Sequence, residues 1–127
     1  MPATDWRKLT REPAFDVQGD AISVRLEGER GQQVFVEDAN PALLRVWSVA
    51  ARPAMLQQLE EGPDLYAWGR NRLSDLVGFK TDSRGRLIGE AWVPTEGLDA
   101  GEGAVYVRAV ALACDRVEYL LSGKDEG

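Results

Sequence analysis

Residues 76–94, LVGFKTDSRGRLIGEAWVP, and residues 101–123, GEGAVYVRAVALACDRVEYLLSG, decide the fold. The first stretch reads as a β-hairpin. Its turn falls on Asp82, Ser83, Arg84 and Gly85, where glycine readily supplies a positive φ. Alternation along the arms sends Phe79, Leu87, Ala91 and Val93 to a core and Trp92 to the opposite side. The second stretch predicts a helix over 99–122. Asp99 stands three residues before Glu102, a capping-box spacing, and Gly123 is a natural stop. One apolar row runs through Gly103, Tyr106, Val107, Val110, Ala113, Cys114, Val117, Leu120 and Leu121. A second runs through Val105, Ala109, Leu112 and Tyr119. Together they are wider than a helix on the rim of a small domain needs. Either the helix is deeply packed, or one row packs on a sheet and the other meets a second chain.

Upstream, Ala21–Glu27 alternates cleanly, with Ile22, Val24 and Leu26 on one side. GERGQ (28–32) supplies a turn, and Gln33–Glu37 returns with Val34 and Val36 toward the core and Phe35 away. A turn at 38–41 leads to a third strand over 42–51. There Leu44, Val46 and Ser48 alternate with Leu43, Arg45, Trp47 and Val49. The meander has two partly apolar faces, and the face with Phe35, Trp47 and Val49 has no obvious local cover. The N-terminal segment, through Trp6 and Phe15, could supply one. A short helix is expected within residues 1–14, another over 54–61, and a third over 64–76 capped by Asp64. Residues 123–127 read as a polar tail. The fold class expected is α+β: one domain over residues 1–127, with an antiparallel sheet of about five strands (three-strand meander, helix, hairpin) packed against a long C-terminal helix.

Composition narrows function. At 127 residues the chain has the length of one ordinary domain. Twenty-one acidic against 15 basic side chains give a net charge of −6, with no Lys/Arg run, which disfavours direct nucleic-acid binding. An acidic surface keeps a protein soluble or attracts a basic partner. The sequence has no histidine, so the usual general base near neutral pH is missing. Its one cysteine, Cys114, rules out Cys-rich zinc sites and reads as a buried small hydrophobe. Glu60 with Glu61, or Asp82 with Glu90, are the carboxylate pairs one could nominate for catalysis. Each has an ordinary explanation as a helix end or hairpin surface. No phosphate-binding glycine loop, calcium loop or cofactor motif is present. The first residues carry no apolar signal-peptide core and no run approaches a membrane span, so a cytoplasmic location is expected.

With GFKTDSRGRLIGEAWV (78–93) in the hairpin and AVALACDRVEYLL (109–121) in the last helix, the element order resembles the YbjN-like family of bacterial proteins. It is also similar to the fold of class I type III secretion chaperones. The resemblance covers most of residues 15–122. It implies a dimeric, non-catalytic protein-binding domain, chaperone- or adaptor-like, linked to regulation and stress response, with no catalytic residues or cofactor to carry over. The partner-binding residues expected are Phe35, Trp47, Val49 and Trp92. The expected homodimer interface is Leu65, Trp68, Arg72, Val105, Leu112 and Tyr119. The client expected is a basic or nucleic-acid-binding protein. The alternative is a small-ligand sensor with Trp68 and Trp92 lining a pocket.

Overall fold

The structure, a computed structural model, describes residues 13–26, 30–57, 59, 62–71 and 76–122. Among these, six antiparallel strands form one sheet in the order β1-β2-β3-β4-β6-β5. They are β1 (Phe15–Gln18), β2 (Ala21–Arg25), β3 (Gly31–Asn40), β4 (Leu43–Ala51), β5 (Gly78–Thr81) and β6 (Leu87–Pro94). The helices are α1 (Pro53–Leu56), α2 (Pro63–Asn71) and α3 (Ala100–Ser122). The architecture is α+β, as the alternation and the long helical pattern predict. The strand beyond the expected five is β1, where Phe15 and Val17 alternate with Asp16 and Gln18 and pair with β2. The helix expected within residues 1–14 lies outside the described residues apart from Pro13 and Ala14. The Ala14 carbonyl already accepts the Arg25 N–H at 3.0 Å, continuing the β1–β2 pairing.

The sheet's two faces follow from alternation. Ile22, Val24, Val34, Val36, Leu44, Val46, Ala91 and Val93 are all buried and belong to one core. α3 covers this inner face, packing on β3, β4 and β6. Its N-terminus is fixed as the spacing predicts, with Asp99 Oδ1 accepting the Glu102 N–H at 2.8 Å. The face that α3 buries is centred on Ala104, Val107, Val110, Ala111, Cys114 and Val117. Ala104 and Ala111 join this face, whereas three members of the expected row turn from it: Tyr106 and Ala113 are only partly buried and Leu120 is exposed.

One contact keys the helix to the sheet. A Cβ built on Gly89 would lie 2.6 Å from Cys114 Sγ, 3.1 Å from Val77 Cγ1 and 3.2 Å from Phe79 Cε1. Only glycine lets β6 and α3 approach this closely. Cys114 is fully buried, as expected, and its thiol donates to the Ser48 carbonyl at 3.5 Å. Burial pushes the thiol up to about 12, and the nearby Glu118 and Asp115 carboxylates push the same way. The protein presents no thiolate there at neutral pH.

Several boundaries differ from the sequence expectation. β3 runs on to Asn40 instead of turning at Asp38, because a bulge between Asp38 and Asn40 absorbs one residue. The turn is then Pro41–Ala42, held by Asn40 Oδ1 accepting the Ala42 N–H at 2.8 Å. α1 is one short turn, and α2 starts at Pro63, which takes the first helical position that suits proline. Asp64 is therefore not the cap. Its Oδ1 instead accepts from Thr81 Oγ1 at 3.0 Å and ties α2 to β5. At the other end of α2, the Asn71 side chain receives the Phe79 N–H and donates to the Phe79 carbonyl. The β5 edge is thus closed by a side chain that imitates a neighbouring strand.

Candidate functional site

Alternation and register put one set of side chains on the outer face of the sheet. Phe35 stands opposite Trp47, Glu37 opposite Arg45, Arg45 opposite Trp92, and Trp47 opposite Glu90. Same-face neighbours at this spacing touch. Phe35 and Trp47 stack with ring centroids 4.6 Å apart and planes at 27°. The Arg45 guanidinium carbon lies 5.0 Å from the Trp47 ring centroid and 6.0 Å from that of Trp92. Arg86 approaches Trp47 at 5.7 Å. These are cation–π distances.

Carboxylates lock the cations in place. Arg45 Nε donates to Glu90 Oε2 at 2.7 Å, and its other arm meets Glu37 Oε1 at 2.9 Å. Lys80 Nζ sits 3.1 Å from Glu90 Oε1, which also accepts from Trp92 Nε1 at 3.3 Å. Burial by itself would raise the Glu90 pKa. The hydrogen bonds and charges of Arg45 and Lys80 outweigh it and hold the carboxyl below its usual range. The same balance keeps Arg45 charged: burial opposes the cation, and Glu37 and Glu90 overcome it. Asp82 is set apart from this network. It caps the hairpin turn, accepting the Arg84 and Arg86 N–H groups and Arg86 Nε, while Gly85 takes φ 77°. Its carboxyl is also held low, because these bonds exceed the upward push of burial. Asp82 and Glu90 are each bound to their own cations and do not form the pair that acid–base chemistry needs. Glu60 and Glu61 lie outside the described residues.

The residues expected to bind a partner are gathered here. Phe35, Trp47 and Val49 are half-buried on the outer face, and Trp92 is 47% exposed. Phe15 does not cover them: it pairs with Val24 on the inner face, with Arg108 over its ring at 5.9 Å. Trp6 lies outside the described residues. The expected dimer residues divide between two helices. Leu65 and Trp68 are exposed on α2, which packs on β5. Val105, Leu112 and Tyr119 are exposed on α3 in a seven-residue repeat, which makes one row on the solvent side. Arg72 lies outside the described residues.

Two concave features remain. β3 and β4 pair only from Phe35↔Trp47 onward, although β3 begins at Gly31 and β4 runs to Ala51. Side chains bridge the mouth of the gap: Gln32 Nε2 donates to the Val49 carbonyl and to Ser48 Oγ, both at 2.8 Å, and Ser48 Oγ donates to the Gln33 carbonyl. Beyond them opens a cleft of about 440 Å³ lined by Gln33, Phe35, Arg52, Met55, Arg86 and Glu118, among others. A smaller groove of about 250 Å³ lies between β1, β2 and α3, with Phe15, Arg108 and Leu112 in its walls. Neither Trp68 nor Trp92 lines either space.

Sequence reasoning missed Arg45 as the centre of the outer face, the buried pair Gln32–Ser48, and the cleft. Alternation put Arg45 beside Trp47, but the meeting with Glu90 and Trp92 depends on β4 pairing with β6, a long-range register that one sequence does not display. Among the described residues no group of His, Cys, Asp or Glu could hold a metal ion, and no helix is long and apolar enough to cross a membrane. No family model and no curated protein matches the chain.

Proposed function

We propose that the protein is a non-catalytic, homodimeric protein-binding module, chaperone- or adaptor-like, of the kind that the YbjN-like resemblance implies. The observation that supports this most is large apolar surface held in solvent on ordered elements. Val105, Leu112 and Tyr119 form a row about half exposed along α3, and Trp92 is equally open on the outer face of the sheet. An α3 row repeating every seven residues suits a second copy of the same helix across a two-fold axis, where each chain offers the same stripe. Trp92 and the Phe35–Trp47 stack then remain as the anchor for a client. Aromatic and arginine side chains fixed by their neighbours make strong contact points, because little rotamer freedom is lost on binding.

Charge has a long-range part in this reading. The outer-face cations Arg45, Lys80 and Arg86 are balanced by Glu37, Glu90 and Asp82. The net charge of −6 therefore belongs to the rest of the chain, where it draws a basic partner toward the molecule without setting the local contact.

Sedimentation of the full chain across a dilution series tests the dimer. A mass of twice 14.0 kDa is expected, falling to a single chain in Leu112→Glu with its circular dichroism unchanged. A single-chain mass for the unaltered protein at all concentrations refutes it. For the client site, retained proteins are compared between the unaltered chain and Trp92→Ala. Loss of specific partners from a variant that stays dimeric supports the outer face, and an identical set of partners refutes it.

A further inference from the structure

We propose that the cleft between β3 and β4 binds a small organic carboxylate, with a flat apolar body along Phe35 and the anionic end against Arg52. The site is distinct from the docking surfaces above, although Phe35 and Val49 border both. Its size, about 440 Å³, falls among small-molecule sites, which run from roughly 300 to 1,000 Å³. Its origin is an interruption in the sheet, so its walls carry peptide groups as well as side chains. The Val36 N–H bonds to Asp20 and the Leu26 N–H to the Arg30 carbonyl. Even-numbered residues of β3 therefore face β2, and the peptide groups of Gly31 and Gln33 face β4, into the gap. The Gln33 carbonyl is taken by Ser48 Oγ, so the polar contacts left to a ligand come from the other peptide groups of this edge, while Phe35, Val49 and Met55 supply apolar walls.

The charges choose the ligand. Arg86 lines the cleft but is already held by Asp82, with Nε and the second nitrogen each 2.8 Å from Oδ2. Arg52 is exposed at the end of β4, and no hydrogen bond or ion pair engages its side chain among the described residues. An arginine with its fork unoccupied beside an apolar wall is suited to a carboxylate. The Phe35 ring is fixed by stacking on Trp47, so the wall is already in place before a ligand arrives.

The test uses 2-naphthoate as probe and its neutral amide as control, followed by amide nitrogen–proton NMR on the full chain. Saturable shifts at Gly31, Gln33 and Ala51 at sub-millimolar 2-naphthoate are expected, with 2-naphthamide at least about tenfold weaker. Arg52→Ala should weaken 2-naphthoate by about the same factor and leave 2-naphthamide unchanged, with Arg52→Lys intermediate. Trp92→Ala should bind the probe normally, which keeps this result apart from the fate of the client site. The proposal is overturned if shifts do not saturate by millimolar probe, if they centre elsewhere, if the amide binds as well as the acid, or if Arg52→Ala leaves the affinity unchanged.

Discussion

Gly89→Ala measures how tightly α3 is seated. The new methyl would lie 2.6 Å from Cys114 Sγ, inside any real contact distance, and 3.1 and 3.2 Å from Val77 and Phe79. Relief requires α3 to lift or the thiol to turn, and the thiol is fully buried with its bond to the Ser48 carbonyl. Overpacking of this kind costs about 1–3 kcal/mol. Replacing glycine in a strand returns about 0.5–1 kcal/mol of chain entropy. The 2.6 Å contact puts this case in the upper part of the overpacking range, so the net loss should be about 1–2 kcal/mol. Cys114→Ala alone should cost about 1 kcal/mol through lost packing. In the double variant the sulfur is gone and only the two milder contacts remain, so the losses should fall short of additive by about 1 kcal/mol. Urea unfolding of all four proteins, with unchanged m-values, gives the numbers. A coupling within about 0.3 kcal/mol of zero, or a Gly89→Ala protein as stable as the parent, would refute the idea that this contact sets the helix height.

Other outcomes follow from the same geometry. Asn71→Ala removes both bonds to Phe79 and opens the β5 edge, so stability should fall by about 1–3 kcal/mol and aggregation on heating should rise, read by calorimetry and light scattering. Glu90 titrates low in the folded chain, so its contribution is present above the unfolded value of about 4.3 and is lost as pH falls through the depressed folded value. Unfolding free energies measured downward from pH 5 should therefore drop more steeply for the parent than for Glu90→Gln. Cys114 titrates high, so the sign reverses: its contribution is present below the unfolded value of about 8.5 and is lost as pH rises toward 12. Between those limits the parent should lose stability relative to Cys114→Ala as pH rises, and rapid thiol labelling of the native protein at pH 8 would contradict this burial.

The fold was legible wherever a local pattern carried it. Ile22-Val24, Val34-Val36 and Leu44-Val46 announced their strands by period two, and the Asp82–Gly85 turn and the Asp99 cap fell where their residue types require. β1 was missed because FDVQ is short, yet Phe15 and Val17 already alternate. The outer face was half legible. Alternation placed Phe35, Trp47 and Trp92 away from the core, but their joining through Arg45 and Glu90 depends on strands that are distant in the chain. Nothing in sequence marks Gly89 as the place where a strand and a helix come into close approach. The cleft is the hardest to foresee: Gln32 and Ser48 sit at positions whose pattern calls for apolar core residues, and their polarity was the one available sign that the ladder stops there.

Every neighbouring pair of strands in this sheet follows directly in sequence except β4 and β6. The chain thus contains two locally wired pieces, the meander β1–β4 and the hairpin β5–β6 with its flanking α2. Contacts within each piece close short loops, which cost little entropy and form quickly. The β4–β6 ladder, extending from Leu43↔Pro94 to Ala51↔Leu87, closes only over all of α1, α2 and β5. α3 lies across both sides of that seam, touching β3 and β4 from one piece and β6 from the other. Neither piece alone offers α3 its full bed, so zipping of the seam and docking of the helix are coupled, and the nonlocal entropy of folding is concentrated in that joint step.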